Sequence, residues 1–361
     1  MDESNDHVPL NHTVFEPLVS IVIPTYNQNL DYLKACIESA LNQTYSNIEV
    51  IVSNNHSTNG TDEFLASLIH SKIRKIKTNS FLSMNESFGF AASYAEGEYI
   101  AFLSSDDLIT PDCIEKMISL IRKDDRVVFA FGNLYASLQY DESLSDRRCF
   151  TRSDKFHGVL SLSEAFKLFV PWTTSSGWMA GAIIKKSIYL KTGGLGASYY
   201  KINSDVWLTA ELLRYGLCAC TSDITAFFRL REPGVFSADG DRRLLQMVDW
   251  VLALDHFLEV SESISLSVYD KLRVKLIYYL FPHRVVYVAL SFVSEFGQPT
   301  PEQISFFEAG IKIKNIKYLK MIMLIVFHLK KSYAGILLKS IVFFWNAYNK
   351  LNMFLIRDRK K

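Results

Sequence analysis

Residues 19–24 read VSIVIP and lead into the polar stretch TYNQN at 25–29. A run rich in β-branched residues that ends at Pro24 is typical of a fully buried strand of a parallel sheet, followed by a loop. A helical pattern then covers 30–41, and a second strand is expected at 48–52. Strand, helix and strand in this order predict a βαβ unit.

The same alternation continues after the second strand. The next predicted elements are a helix at 61–71, a strand at 73–76, a helix at 86–95, a turn at Gly97 and a strand at 99–103. Alternating elements of this kind indicate an α/β fold with a doubly wound sheet, in which ligands bind beyond the carboxyl ends of the strands. We therefore expect the loops at 24–28, 53–59 and 104–107 to converge.

Two adjacent carboxylates follow an apolar strand in the segment FLSSDDLITP, residues 102–111. Asp106 and Asp107 should lie at the carboxyl edge of that strand, where hard oxygen ligands suit Mg²⁺ or Mn²⁺. Two simpler interpretations stay open. In the first, Asp107 caps a helix that begins near Pro111. In the second, the pair lines an ordinary polar loop.

The loop after the second strand, SNNHSTNGT at 53–61, offers two side-chain amides that can bind the edge of a nucleobase, Asn54 and Asn55. Ser57 and Thr58 could cap the next helix, and Gly60 permits a tight turn. Taken alone, the segment predicts only a turn.

The first loop could likewise face a nucleoside. Thr25, Tyr26 and Asn27 follow the first strand, and the ring of Tyr26 offers a stacking surface. An ordinary polar loop between strand and helix explains the same residues equally well.

A further carboxylate, Asp205, stands in NSDVWL at the predicted start of a helix. A negative charge is stabilised there by the helix dipole. Capping of the helix by Ser204 or Asp205 is the simpler interpretation.

Four strings occur in order along the chain: VSIVIPTYNQ, SALNQTYSNIEVIVSNN, AEGEYIAFLSSDD and GG…SDVWL…G. Together they closely resemble the family-2 glycosyltransferases of the GT-A fold, over about residues 17–235. The resemblance implies a Rossmann-like, doubly wound mixed sheet and an inverting transfer of a sugar by a single displacement. It also implies that Asp106 holds a metal on the diphosphate, that Asp205 is the general base, and that the nucleoside pocket is lined by Pro24, Thr25, Tyr26 and Asn55.

Two departures from the family pattern concern the donor. Asn54 and Asn55 replace a pair of acidic residues that is common in the family, which weakens the expectation of a uridine donor because an amide can also donate a hydrogen bond. The family's Asp-x-Asp metal motif keeps only its last acid, Asp106, and Asp107 follows directly. A UDP-sugar remains the favoured donor, with Mg²⁺ or Mn²⁺ as cofactor.

Two arginines, Arg229 and Arg231, lie where relatives often carry basic residues near the diphosphate. Either guanidinium could stabilise the charge of the leaving group, and a surface ion pair with Glu232 is an equal alternative. Trp178 and Trp207 are candidate platforms for an acceptor sugar, although core packing is the more common role of buried Trp.

The net charge of +1 conceals a strong asymmetry. From Ile311 onward the chain has 12 Lys or Arg and one acidic residue, Asp358, interleaved with apolar residues. This composition suits helices in an anionic headgroup layer, or else a helical subdomain with a solvated basic face. The predicted organisation has three parts: a flexible N-terminus at 1–16, a GT-A domain at 17–240 and a helical region at 241–361. The GT-A domain is divided into a donor half at 17–138 and an acceptor half at 158–240. The helical region ends in the membrane-associating tail 311–361. The polar stretch 139–157 is either an insertion or a lid.

The remaining sequence features concern location and class. The five cysteines lack zinc-site spacing and indicate a reducing cytosol. The N-terminus has no signal-peptide pattern. No apolar run reaches the ~20 residues of a membrane span. We expect a cytoplasmic enzyme, peripheral on the inner face of the plasma membrane, that binds a nucleotide-sugar and a lipid-linked saccharide of O-antigen or capsule assembly, and no nucleic acid. The alternatives are an inactive nucleotide-sugar-binding or scaffold protein of the same fold, and a nucleotidyltransferase, which the lack of a glycine-rich phosphate loop disfavours.

Overall fold

The structure, a computed structural model, describes residues 16–137, 148–149, 156–170, 179–198, 203–229, 240–280 and 300. Their strands form a 10-stranded mixed sheet, in which eight follow the order β3-β2-β1-β4-β9-β6-β10-β5, while β7 pairs with β6 and β8 with β10. The strands are β1 Val19–Thr25, β2 Ile48–Asn54, β3 Ile73–Lys77, β4 Tyr99–Phe102, β5 Leu108–Ile109, β6 Val127–Ser137, β7 Arg148–Cys149, β8 Gly158–Leu160, β9 Ile183–Lys185 and β10 Leu217–Arg229.

Two parallel sets of strands meet at an antiparallel strand. Strands β3, β2, β1 and β4 pair in parallel, as do β6 and β10. The three-residue strand β9 runs antiparallel to both β4 and β6 and joins the two sets. The parallel pairing of β1 with β2 ends with Thr25 opposite Asn54, so the loops after these strands begin side by side.

Helices cover both faces of the sheet. They are α1 Leu30–Leu41, α2 Thr61–Ser67, α3 Met84–Ser93, α4 Cys113–Ile121, α5 Leu162–Phe169, α6 Lys186–Lys191, α7 Ser204–Leu212, α8 Gly240–Ser263 and α9 Val268–Leu280. Alternate side chains of β1 point to opposite faces of the sheet and pack with two different groups of helices. Ile21 and Ile23 pack with α1 and α4, whereas Val22 faces the cluster that contains α3, α5, α7 and α8. Burial on both faces explains the nearly continuous apolar sequence of β1.

The predicted doubly wound α/β fold is confirmed, and most elements lie where the sequence placed them. Several boundaries differ from the prediction, among them the end of α3 at Ser93 rather than 95, and two of the differences have a clear structural cause. Helix α2 ends at Ser67 rather than at 71 because Leu68 turns to an extended backbone. Helix α3 begins at Met84 rather than at 86 because Ser83 and Glu86 form a capping box, two reciprocal hydrogen bonds that start a helix. Gly97 is required in its turn, since a Cβ there would lie 2.6 Å from the carbonyl oxygen of Leu18.

The helical character expected after residue 241 is confirmed as far as Leu280. Helix α8 packs on the same layer as α5, where Phe257 contacts Phe166 edge to face. No helix in the described part of the chain is long and apolar enough to cross a membrane. The tail 311–361 and nearly all of 139–157 lie outside the described residues, and the proposed domain boundaries remain predictions.

Candidate functional site

The loops after β1 and β2 are joined by direct hydrogen bonds. Asn27 has a positive φ of 47°. Its backbone N–H donates to Ser57 Oγ (2.9 Å), and its Oδ1 accepts from the backbone N–H of Thr58 (2.7 Å). Ser57 and Thr58 therefore tie the two loops together. They do not cap α2, because the N-cap of that helix is Gly60, with φ 83°.

The third loop reaches the same place. Gln28 Nε2 donates to Ser105 Oγ at 3.2 Å, which connects the loop after β1 to the loop after β4. The predicted convergence of the three loops at the carboxyl edge of the sheet is confirmed.

Asn54 and Asn55 are buried, and protein groups engage both side chains. Asn54 Oδ1 accepts from the backbone N–H of Ser57 (3.0 Å), and its Nδ2 donates to Asp62 (2.6 Å). Asn55 Nδ2 donates to the carbonyl oxygen of Leu82, and Asn55 Oδ1 accepts from the backbone N–H of the same residue, both at 2.9 Å. Asn55 thus fixes the loop that leads into α3. A direct contact of either amide with a nucleobase stays a prediction.

An exposed aromatic pair flanks these loops. Tyr26 is 51% exposed and Phe81 60% exposed, and their ring centroids are 4.8 Å apart. Pro24 and Thr25 are buried beneath them at the end of β1. Of the four residues predicted around a nucleoside in the first loop, Tyr26 and Asn27 are exposed to solvent.

Arg229, the last residue of β10, holds the acidic pair. Its backbone N–H donates to Asp107 Oδ1 at 2.9 Å, and its Nε donates to the carbonyl oxygen of Asp106 at 3.1 Å. The short strand β5 sets this contact, because its antiparallel pairing with β10 brings Phe227 opposite Leu108. The guanidinium also stacks on Tyr32 of α1, with Cζ 3.8 Å from the ring centroid.

The two carboxylates differ in their environment. Asp107 is buried, and burial, with the neighbouring charge of Asp106, raises the pKa of the Asp107 carboxyl well above its usual range, although Arg229 opposes the shift. Asp106 is only half-buried, so its carboxylate is the one that can reach a ligand. Asp107 does not cap a helix, because α4 begins six residues later, after its N-cap Asp112.

Asp205 is the second residue of α7 and is 8% exposed. Its Oδ2 has no hydrogen-bond partner among the described residues. Burial raises the pKa of Asp205 to about 8, the Val206 backbone N–H opposes the shift, and the charge of Asp249 adds to it. Neither Ser204 nor Asp205 caps the helix, because its N-cap is Asn203.

The turn before Asp205 is held from two sides. The backbone N–H of Asn203 donates to Asp249 Oδ2 of α8 at 2.9 Å. The hydroxyl of Ser204 donates to Asn85 Oδ1 of α3 at 2.6 Å. The backbone N–H of Asn55 donates to the carbonyl oxygen of Thr25 at 2.9 Å, and the Asn55 side chain fixes the loop that enters α3. A short path of contacts therefore links the end of β1 to the turn that carries Asp205.

Residues 20–185 match the family model described as Glycosyl transferase family 2. This segment is a family-2 glycosyltransferase domain. WfaP of Escherichia coli, described as a UDP-Glc:alpha-D-GlcNAc-diphosphoundecaprenol beta-1,3-glucosyltransferase, is 38% identical over 118 residues, or 33% of this chain and 46% of WfaP. The chain spans less than half the length of the curated relatives it matches.

Solved structures share the fold of this glycosyltransferase domain and the elements after it. TarS 1-349 of S. aureus, in complex with UDP-GlcNAc, aligns with a TM-score of 0.52 at 12% identity, over 84% of this chain and 90% of TarS 1-349. The mannosyltransferase PcManGT of Pyrobaculum calidifontis, in complex with GDP-Man and Mn2+, aligns with a TM-score of 0.52 at 15% identity, over 89% of this chain and 88% of PcManGT. The GT-A fold expected from the sequence is confirmed.

The acidic pair of the family-2 domain fits a divalent cation that is only partly held by protein. No group of three or more His, Cys, Asp or Glu side chains converges within the described residues. Mg²⁺ is commonly bound through one or two carboxylates, with water and substrate phosphates as the other ligands. Half-buried Asp106 beside Asp107 meets that requirement.

The predicted site residues divide into those the structure brings together and those it does not describe. The three loops, Asp106, Asp107 and Arg229 lie together at the carboxyl edge. Arg231 and Trp178 lie outside the described residues. Trp207 is buried and stacks on His256 at 6.1 Å between centroids, which supports core packing for this residue.

Sequence reasoning missed four residues around the site: Tyr32, Phe81, Asn85 and Asp249. Phe81 carried a weak signal, since it is a large aromatic in the largely polar stretch 78–87, whereas Tyr32 sits in the ordinary helical pattern of α1. Asn85 and Asp249 carried none, because each sits in an ordinary helical pattern and meets its partner only in the folded protein.

Proposed function

We propose that this protein is an inverting glycosyltransferase that moves a sugar from a nucleotide-diphosphate donor, favoured to be a UDP-sugar, to a saccharide acceptor. The observation that carries the proposal is the cluster of Asp106, Asp107 and Arg229 at the carboxyl edge of a family-2 domain. The half-buried carboxylate of Asp106 and the half-buried guanidinium of Arg229 meet there, and the departing group of such a donor is a diphosphate.

The nucleotide donor is proposed to bind at the joined loops after β1 and β2. Tyr26 is exposed beside the buried end of β1, where a nucleoside can stack, with Pro24, Thr25, Asn27, Asn54 and Asn55 around it. Arg229, and Arg231 by its position in sequence, would bind the diphosphate. Asp106 would hold Mg²⁺ or Mn²⁺, and such a cation, when bound, neutralises the charge that develops on the leaving diphosphate.

The acceptor half centres on Asp205. In a single displacement the acceptor hydroxyl oxygen bonds to the anomeric carbon, the bond from that carbon to the diphosphate oxygen breaks, and the hydroxyl proton passes to a base. Asp205 suits that role because its buried Oδ2 has no hydrogen-bond partner among the residues that the structure describes, and its pKa of about 8 makes it a stronger base than an exposed carboxylate. The short path of contacts from β1 to Asn85 and Ser204 supports its nearness to the donor.

The acceptor is proposed to be lipid-linked, as in the assembly of O-antigen or capsule. The description of WfaP names a diphosphoundecaprenol-linked acceptor, and the basic, apolar sequence at 311–361 suits a membrane surface. The protein would then work from the cytoplasmic side, peripheral on the inner face of the plasma membrane.

The test is sugar transfer and donor hydrolysis by the purified full-length protein, with UDP- and GDP-sugars and Mn²⁺ or Mg²⁺. We expect turnover with one nucleotide class and its loss in Asp106→Asn and Asp205→Asn. A matched control is Asp31→Asn, because Asp31 is also the second residue of a helix, α1, and is exposed. No hydrolysis above background with any donor would favour the inactive binding protein instead. Full activity in either variant would remove that carboxylate from the mechanism.

A further inference from the structure

Tyr32 lies in the first turn of α1 and was no part of the predicted site. Its ring is 36% exposed, yet one face is covered by the guanidinium of Arg229, at 3.8 Å from Cζ to the ring centroid. A cation within about 6 Å of an aromatic face is attracted by the ring. The contact joins residues 197 positions apart in the sequence, so it exists only through the fold.

Both partners of this stack are fixed at their backbones. The backbone N–H of Tyr32 donates to Asn29 Oδ1 at 3.3 Å, and the N–H of Asn29 donates to Gln28 Oε1 at 2.9 Å. Gln28 in turn contacts Ser105 in the loop that carries the acidic pair. At the other end, the backbone N–H of Arg229 is held by Asp107.

The stack leaves most of the guanidinium available to a ligand. Arg229 Nε donates to the Asp106 carbonyl oxygen, and the terminal nitrogens have no hydrogen-bond partner among the described residues. Arginine loses much side-chain freedom when it binds a phosphate group, and prior ordering removes part of that cost. A guanidinium that lies over the Tyr32 ring and donates to the backbone carbonyl of Asp106 is ordered before any donor arrives.

We propose that Tyr32 is a positioning residue for the donor diphosphate, because its ring holds the Arg229 guanidinium beside the Asp106 loop. This inference rests on the proposed function. In this proposal Tyr32 acts through Arg229 and not by contact with the reacting atoms, so its removal should weaken nucleotide binding only while Arg229 is present.

The experiment measures binding of UDP and of GDP, each with Mn²⁺, by isothermal titration calorimetry on the full-length protein. For the nucleotide that binds wild type, we expect Tyr32→Leu to weaken binding about fivefold, which corresponds to about 1 kcal/mol. Tyr32→Phe keeps the aromatic face and should bind within about twofold of wild type. In an Arg229→Gln background, Tyr32→Leu should cause no further loss.

The control is Tyr94→Leu. Tyr94 is 38% exposed and also carries an arginine, Arg74, at 5.6 Å from its ring centroid, but it ends α3 away from the acidic pair. The Tyr94→Leu variant should bind nucleotide as tightly as wild type does. The inference is overturned if Tyr32→Leu binds as tightly as wild type, or if it loses as much affinity without Arg229 as with it. If wild type binds neither nucleotide, the proposed function itself fails, which is a different result.

Discussion

The substitution Asp205→Asn should stabilise the fold in a manner that depends on pH. The carboxyl is buried, one of its oxygens has no hydrogen-bond partner in the described part of the chain, and its pKa rises from 3.8 to about 8 on folding. Between these values the native state holds a proton that the unfolded state releases, so stability falls as pH rises through that window. Each pKa unit corresponds to about 1.4 kcal/mol, which sets an upper limit of about 6 kcal/mol for the whole fall. The asparagine variant has no such loss.

The assay is urea unfolding of the full-length wild type and variant at about pH 5, inside the sensitive window, and at about pH 8.5, just above it. We expect the stability difference between variant and wild type to grow by at least ~2 kcal/mol in favour of the variant at the higher pH. Asp31→Asn, at the matching helix position but exposed, should show the same difference at both pH values. If the stability difference between Asp205→Asn and wild type were also the same at both pH values, the argument that burial of this carboxylate is costly would be refuted.

Three further outcomes follow from the site. Asn27→Ala should destabilise the fold by about 1 kcal/mol more than Asn27→Gly in urea unfolding, since φ is 47° and glycine alone adopts it without cost; equal values would contradict this. Asn55→Ala should lower the free energy of unfolding by about 2 kcal/mol, because the backbone N–H and carbonyl oxygen of Leu82 both lose their hydrogen bond to the Asn55 side chain. Asn59→Ala, at an exposed position, should lower it by less than ~1 kcal/mol. The transfer rate, kcat/KM, should rise with pH up to about 8 as Asp205 loses its proton, and a rise complete below about pH 6 would exclude Asp205 as the base.

The framework of the site could be predicted because it depends on local patterns. A buried β-branched strand that ends in polar residues identifies the carboxyl edge of a parallel sheet, and the edge then brings successive loops together. The positions of Asn27, Asp106 and Asp205 at strand ends or at a helix start were therefore readable from the sequence.

The connections between those residues could not be predicted, because they cross the fold. Arg229 reaches Asp107 only since β10 pairs with the two-residue strand β5, and a strand that short has no sequence signal. Asn55 was expected to face a ligand, yet an amide satisfies a neighbouring loop equally well, and only the folded position of Leu82 decides between the two.

The three-residue strand β9 has a consequence for synthesis on the ribosome. Strands β1 to β4 are complete once residue 102 has emerged, and they pair only with one another until then. Among the described strands, β6 joins β4 only through β9, at Ile183–Lys185. Because domains are made from the N-terminus at about 5–20 residues per second, strands β1 to β4 can assemble for several seconds with β4 as an open edge. A nascent chain arrested between these two points would expose that edge to other nascent chains and to chaperones.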